Sequence, residues 1–303
     1  MDKQELVSII MPTYNRAHLL SRAIESVISQ TYKNLELIVV DDCSQDNTDE
    51  IINDYIKKDR RIAYFKNKKN EGAAYSRNAG IEYSRGSFLM FLDDDCEYLP
   101  EKIEKEMALM CQLSPPPSII YSNMWLETKG TRSAYSLSKE NKLLTNKDVF
   151  GLKYHFLEPT TWFCRSDSIK KVGGFDKHLS CYDDVDLLTR AILSSERIYF
   201  FNIPLSIKHN VEGFSTLSFN SVSNKEKFLR KHLSGLKKYK RYISRFYYSL
   251  GKDYYKLGEF KKAKKYFWNA FLSWPLKTEY LFKIFYLNNK ASHFGSSFLK
   301  NKL

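Results

Sequence analysis

The sequence predicts an α/β fold built on a parallel sheet, followed by a small α-helical region. Three observations predict it. Apolar, strand-like runs alternate with segments of helical period from Leu6 to Asp95. The polar and acidic residues that stand out fall just past the ends of those runs, where open α/β sheets bind ligands. The charge balance breaks near residue 225.

In order, Leu6–Met11 reads as a buried strand closed by Pro12, and Arg16 to Gln30 carries Leu19, Leu20, Ala23, Ile24, Val27 and Ile28 at the helical period. Leu35–Val40 is apolar enough to be a central parallel strand. Asp46, Asn47 and Thr48 offer N-caps for a helix bearing Ile51, Ile52, Tyr55 and Ile56. Ile62–Phe65 is a short strand, Ala73 to Ser84 a helix stopped by Gly86, and Phe88–Leu92 a strand ending at Asp93-Asp94-Asp95. The alternation then loosens. Ser114-Pro115-Pro116-Pro117 ends a further helix, Ile119–Tyr121 and Met124–Leu126 are two short strands, and Thr128 to Thr145 reads as a polar, mobile excursion. Asp183 to Ser194 is a helix, and Ile198–Phe201 and Leu205–Lys208 are the last strands.

The chain has 303 residues, enough to bury a core without disulfides. The five cysteines form no paired motif and fit reduced thiols in cytoplasm. No run of about 18 apolar residues suggests a membrane span, and the charged start, Met1 to Glu5, does not suggest a signal peptide. The net charge of +13 is uneven: residues 225–303 hold 20 basic and 4 acidic side chains, leaving 1–224 slightly acidic. Basicity is therefore no argument for nucleic-acid binding by the first 224 residues, and a domain boundary is expected near 225.

Six segments carry chemistry. Asp93-Asp94-Asp95 suits a metal–diphosphate bridge, since hard cations take carboxylate and phosphate oxygens; a solvated acidic turn is the plain alternative. Pro12-Thr13-Tyr14-Asn15-Arg16 and Asp41-Asp42-Cys43-Ser44 can bond a nucleobase or merely cap helices. Gly72 permits close backbone approach ahead of a helix N-terminus favourable to phosphate, and Arg77 adds a cation or is a surface arginine. Asp183, Asp184 and Asp186 are dipole partners of a helix start, or one is a general base. His209 follows a strand and reads as structural or as a ligand.

Taken together, Pro12-Thr13-Tyr14-Asn15, Val39-Val40-Asp41-Asp42-x-Ser44, Asn70-x-Gly72 to Arg77-Asn78-x-Gly80, and Phe91-Leu92-Asp93-Asp94-Asp95 resemble, in order, the inverting glycosyltransferase family 2. Gly173-Gly174-Phe175-Asp176 with Tyr182-Asp183-Asp184-x-Asp186-Leu187-x-x-Arg190 resembles its acceptor-side motif, and His209 with Gly213 and Ser215 its closing loop. The likeness covers about Leu6 to Ser218. It implies a GT-A fold: a nucleotide-sugar half at 1–98 and an acceptor half at 99–224. By position, Pro12, Thr13, Tyr14, Asn15, Arg16, Asp41, Asp42, Gly72, Arg77, Asp93 and Asp94 bind the nucleotide-sugar, with one Asp reading uracil N3 and Arg77 on the diphosphate. Asp93, Asp95 and His209 hold Mn²⁺ or Mg²⁺, Asp184 is the base, and Trp162 and Asp183 lie on the acceptor side. Two departures stand out: Cys96 replaces the usual acidic residue after Asp95, and Asp183-Asp184 replaces a Glu-Asp pair.

The expected reaction is metal-dependent, inverting sugar transfer from a UDP-sugar to a glycan or lipid-linked acceptor, in bacterial surface polysaccharide synthesis. A sugar nucleotidyltransferase would normally open with a Gly-rich loop, which is lacking here; a non-catalytic membrane- or RNA-binding module would not need Asp42, Asp95 and Asp184 together. Within the tail, Tyr247 to Pro275 matches one tetratricopeptide repeat, a hairpin with small residues at its crossing. One such unit cannot bury its own apolar face, so it packs on the catalytic half or on another protomer of a homo-oligomer. Lysines interleaved with aromatics at 237–242 and 261–268 suit an anionic membrane, a solvated face or, least, nucleic acid. The family's lipid-linked acceptors favour the cytoplasmic face of the membrane.

Overall fold

A computed structural model describes residues 5–135, 140–145, 148, 158–209 and 219–284. The chain divides into two compact units, Met1–Phe214 and Ser215–Leu303.

The first unit is built on one sheet. Strands β1 (Val7–Thr13), β2 (Leu35–Asp41), β3 (Ile62–Lys66) and β4 (Phe88–Phe91) alternate with α1 (Ala17–Ile28), α2 (Thr48–Lys58) and α3 (Ala73–Tyr83). After β4 come β5 (Cys96–Tyr98), α4 (Lys102–Gln112), β6 (Ile119–Thr128), β7 (Thr131–Tyr135), β8 (Lys142–Leu143), β9 (Trp162–Arg165), α5 (Ser166–Lys171), α6 (Asp183–Leu193) and β10 (Ile198–His209). The order is β3-β2-β1-β4-β9-β6-β10-β5, with β7 beside β6 and β8 beside β10. Strands β1 to β4 are parallel, as their unbroken apolar runs require. β9 is inserted antiparallel between β4 and β6, which puts its start beside the end of β4.

Every residue of β1 and β2 is buried. Val7, Ile9 and Met11 of β1 pack with Leu20, Ala23, Ile24 and Val27 of α1 in the main core. The opposite face of β1 meets α3 at Gly80, where an added Cβ would lie 2.3 Å from Ile10 Cγ2. Gly80→Ala is therefore expected to cost about 1–3 kcal/mol by overpacking. Thermal unfolding reads this as a lower midpoint, and an unchanged midpoint would mean that α3 lifts off β1 freely.

Three features differ from the sequence expectation. The paired short strands at 119–126 and 198–208 are single long strands, β6 and β10, with register shifts around Pro204 of β10. The polar excursion begins as a hairpin, since β7 pairs with β6 through a turn at Lys129-Gly130, and β8 also joins the sheet. β5, β9 and α5 had no counterpart in the sequence reading.

The second unit contains α7 (Phe219–Leu236), α8 (Lys240–Lys256) and α9 (Phe260–Ser273). α8 and α9 form a hairpin around Gly258 (φ +77°). An added Cβ at Gly251 would lie 2.6 Å from the Phe267 ring, so the small residue is what lets the helices approach. Tyr254 stacks on Tyr266 with ring centroids 5.4 Å apart. Lys225 of α7 reaches Ser249 and Asp253 of α8, each at 2.6 Å. Among the described residues, no helix is long and apolar enough to cross a membrane.

Candidate active site

The carboxyl ends of β1, β2 and β4 bring their loops to one rim. Thr13 Oγ1 donates to Asp94 Oδ2 at 2.9 Å, and Arg16 Nη1 donates to Asp94 Oδ1 at 2.8 Å. Asp94 thus points inward and ties the β4 end to the β1 end; burial pushes its carboxyl up, against the pull of Arg16 and Thr13. Arg16 also lies 3.8 Å from Asp95, whose Oδ1 accepts a long contact from the Cys96 thiol at 3.3 Å.

Arg77 joins the two halves of the rim. Its Nη2 donates to Asp93 at 2.7 Å and its Nη1 to Asp183 at 3.0 Å, while the guanidinium lies over the Phe175 ring at 5.4 Å. Burial raises the Asp93 carboxyl, but Arg77, Lys208 and Arg16 more than offset this and hold it below the ordinary range. Arg77, the expected diphosphate ligand, is buried and spends both Nη groups on carboxylates in this structure.

α6 opens at Asp183, behind Tyr182 in the left-handed region (φ 70°, ψ 11°), an unusual state for a bulky residue. That turn places Asp183 on Arg77 and leaves Asp184 bonded by the backbone N–H of Val185 at 2.7 Å. Burial, and then the charge of Asp183, pushes the Asp184 carboxyl up to about 7. The rest of the acceptor-side motif is scaffolding. Asp186 holds Arg190 at 2.7 Å, Arg190 donates to the Gly174 carbonyl at 2.6 Å, and Asn78 exchanges two 2.8 Å bonds with the Phe175 backbone.

Sequence reasoning passed over one ion pair here. Lys208 Nζ meets Glu158 Oε1 at 2.7 Å. Burial raises the Glu158 carboxyl against the pull of Lys208, and Asp93 and Asp95 raise it further. Burial alone would lower Lys208; Glu158 and Asp95 raise it above the ordinary lysine range. Lys208 was legible beside His209, but Glu158 carried no signal, because it precedes a strand that was not expected.

Asp93, Asp94, Asp95, Glu158, Asp183 and Asp184 thus share one electrostatic neighbourhood with Arg16, Arg77 and Lys208. The carboxylates outnumber the cations, and the excess can be relieved by a proton on Asp184 or by a cation. Among the described residues no three His, Cys, Asp or Glu side chains could by themselves hold a metal ion. Asp95 still fits one, because a hard divalent ion needs only one or two carboxylates when phosphate oxygens complete its shell.

On the nucleoside side, Asp41 Oδ1 accepts from the Ser44 N–H at 2.8 Å and Oδ2 from Tyr64 OH at 2.8 Å. Asp42 accepts from Asn67 Nδ2 and from the N–H groups of Glu71 and Gly72, at 2.7–2.9 Å. Gly72, at φ +90°, turns its N–H toward Asp42 in a conformation a side chain would resist. Asn15 donates its N–H to Ser44 Oγ at 2.9 Å, and its Oδ1 accepts from the Gln45 N–H at 2.7 Å. Thr13 is buried, Tyr14 is exposed, and Pro12 lies within β1. The paired aspartates therefore shape the loops that border this side of the rim.

Two site residues sit differently from expectation. Trp162 is fully buried, stacked parallel to Phe175 and edge-on to Phe91, so its ring presents no surface to an acceptor. His209 lies between Glu97 (3.2 Å) and Glu127 (3.3 Å), and its N–H bonds the Asp95 carbonyl at 3.0 Å. It thus reaches the acidic turn through the backbone. Gly213 and Ser215 of the expected closing loop lie outside the described residues.

A mixed α/β sheet with an acidic strand end, an acidic helix start and a buried arginine between them defines a GT-A-like protein. The model of glycosyl transferase family 2 matches residues 8–173, and the chain belongs to that family. It is 33% identical over 214 residues to an uncharacterized glycosyltransferase, RT0329, of Rickettsia typhi, covering 70% of this chain and 65% of that protein. It is 42% identical over 118 residues to UDP-Glc:alpha-D-GlcNAc-diphosphoundecaprenol beta-1,3-glucosyltransferase WfgD of Escherichia coli, covering 39% of this chain and 45% of that one. The chain thus spans less than two thirds of these relatives. Its fold is similar to that of S. aureus TarS 1-349 in complex with UDP-GlcNAc, with a TM-score of 0.69 and 19% identity over 88% of this chain and 81% of that one.

Proposed function

We propose that the chain transfers a sugar from a UDP-sugar to a hydroxyl of a lipid-linked glycan acceptor, with inversion, in the assembly of a bacterial surface polysaccharide. The observation that carries this reading is the bridge Arg77 makes between strand-end Asp93 and Asp183, which sets Asp184, a carboxyl raised to about 7, in the same charged neighbourhood. The UDP donor and the diphosphoundecaprenol-type acceptor are inferred from the name of the Escherichia coli relative.

In the step itself, the acceptor oxygen bonds to the anomeric carbon as the carbon–phosphate oxygen bond breaks. The acceptor proton passes to Asp184, and the nucleoside diphosphate leaves with the bonding pair. A positioned base of this kind contributes typically about 10²–10⁴-fold. Arg77 holds Asp183, so that one carboxylate braces while its neighbour Asp184 accepts the proton. The loops at Thr13–Arg16, Asp41–Ser44 and Asn67–Gly72 hold the nucleoside. Asp95, with Asp93, would hold Mn²⁺ or Mg²⁺, and such an ion stabilises the charge that grows on a diphosphate leaving group. The tail at 225–303 keeps the chain at the cytoplasmic face of the membrane, beside its acceptor.

Asp95→Asn is expected to weaken Mn²⁺-dependent UDP binding about tenfold or more, with metal-free UDP binding preserved, as read by calorimetry with and without Mn²⁺. Equal heats for both proteins in Mn²⁺ would remove Asp95 from the metal site. A thermal-shift screen of sugar nucleotides tests the donor; no shift with any UDP-sugar in Mn²⁺ would sink the reading.

A further inference from the structure

α9 has two faces of different purpose. Ala263, Tyr266, Phe267 and Ala270 are buried, where the helix packs within its own unit. The opposite face carries Lys261, Lys264, Lys265, Trp268 and Leu272, spaced to form one stripe along the helix. All five are exposed: Trp268 retains 46% of its surface and Leu272 61%, and Leu276, just past the helix, retains 81%. A helix facing only water is normally polar on this side. Here lysines occupy its first half and large apolar side chains its second.

Three kinds of occupant can be weighed by chemistry. A protein interface would bury the apolar half, but lysines are depleted from interface cores. A nucleic acid would use the lysines and could stack on Trp268, but it has nothing to bury Leu272 and Leu276. An anionic lipid surface uses all of them. Lysine ammonium groups meet headgroups, the Trp ring sits at the interface, and leucines enter the acyl boundary. The charge of the surroundings agrees, since residues 225–303 hold 20 basic and 4 acidic side chains.

We propose that the Lys261–Leu272 face of α9, continued by Leu276, is the surface by which the protein seats on an anionic membrane. This rests on the reading that the chain works at a membrane face, and it assigns that role to one stripe of one helix.

The test is sedimentation of the full chain with phosphatidylcholine vesicles, with and without phosphatidylglycerol. Wild type is expected to bind the anionic vesicles only, and to be released by salt. Lys261→Gln with Lys264→Gln and Lys265→Gln should lower partition on the order of 100-fold, about fivefold for each charge removed. Trp268→Ser with Leu272→Ser should lower it by more than tenfold. Melting and UDP-sugar binding are read alongside, because all these side chains are exposed; both are expected to stay at wild-type values. Loss of vesicle binding with donor binding intact supports the assignment independently of the catalytic reading. Wild-type vesicle binding by both variants overturns it. So does a shift of the serine variant from dimer to monomer without loss of vesicle binding, or binding of RNA in place of vesicles.

Discussion

Asp184→Asn is expected to lose most turnover and, above neutral pH, to make the protein more stable. The two effects share one cause. The folded protein holds the Asp184 carboxyl at about 7, whereas an unfolded chain holds it near 3.8. A raised carboxyl contributes stability that is fully present below the unfolded value and is lost as pH climbs through the folded one. At pH 8 the native state therefore carries a buried charge that it resists, and asparagine removes it for a gain of roughly 2–4 kcal/mol. The midpoint of thermal unfolding should rise by several degrees at pH 8, while near pH 4 the two proteins should melt together. Turnover should fall about 10²–10⁴-fold, with UDP affinity retained. In the wild type, kcat/KM should rise tenfold per pH unit up to about 7 and then level, because only the ionised carboxylate can accept the acceptor proton. Wild-type turnover in the variant would move the base elsewhere, and equal melting at pH 8 would show that Asp184 carries no charge conflict.

Arg77→Met is expected to destabilise the first unit strongly. It leaves Asp93 and Asp183 without their shared cation at a buried position, a loss on the order of 3–5 kcal/mol. The effect has a pH signature. Asp93 is held below its ordinary value, so its contribution is present above that value and fades as pH falls through the depressed one. Urea unfolding should show the gap between wild type and variant widest near pH 7 and narrower toward pH 3. Arg77→Lys should not restore it, because a single ammonium cannot span two carboxylates as the planar fork does. A role confined to the diphosphate predicts the contrary: a higher KM with a normal melting profile.

The strands β1, β2 and β4 were legible because both of their faces are buried and their sequence is unbroken. β6 and β10 read as broken because Ser122-Asn123 and Asn202 to Pro204 interrupt the apolar pattern. In the folded chain those interruptions face each other, and Asn123 Nδ2 donates to Asn202 at 2.6 Å, so polarity at mid-strand is satisfied across the sheet. β9 is only four residues long and buried to Cys164, with no periodicity to mark it. Asp184 was marked by its motif as a candidate base, the role proposed for it above. The part played by Arg77 was not, because one of its partners lies 106 residues further along the chain. The same holds for the internal bonds of Asp42 and Asp94, whose carboxylates also tie loops together. A motif shows which residue types recur together and is silent on which of them face inward.

The reversed course of β9 has one more consequence. Because its first residue lies beside the last of β4, the chain that precedes it is delivered to the acidic rim, as the 3.3 Å bond between the Asp93 N–H and Thr160 Oγ1 shows. Glu158 to Thr161, which lead into β9, are thereby set beside Asp93, and Lys208 of β10 meets them there through Glu158. A change in the lead-in to β9 would therefore be felt at the acidic turn without any change in β4, as a bracket shifts a fitting it merely touches.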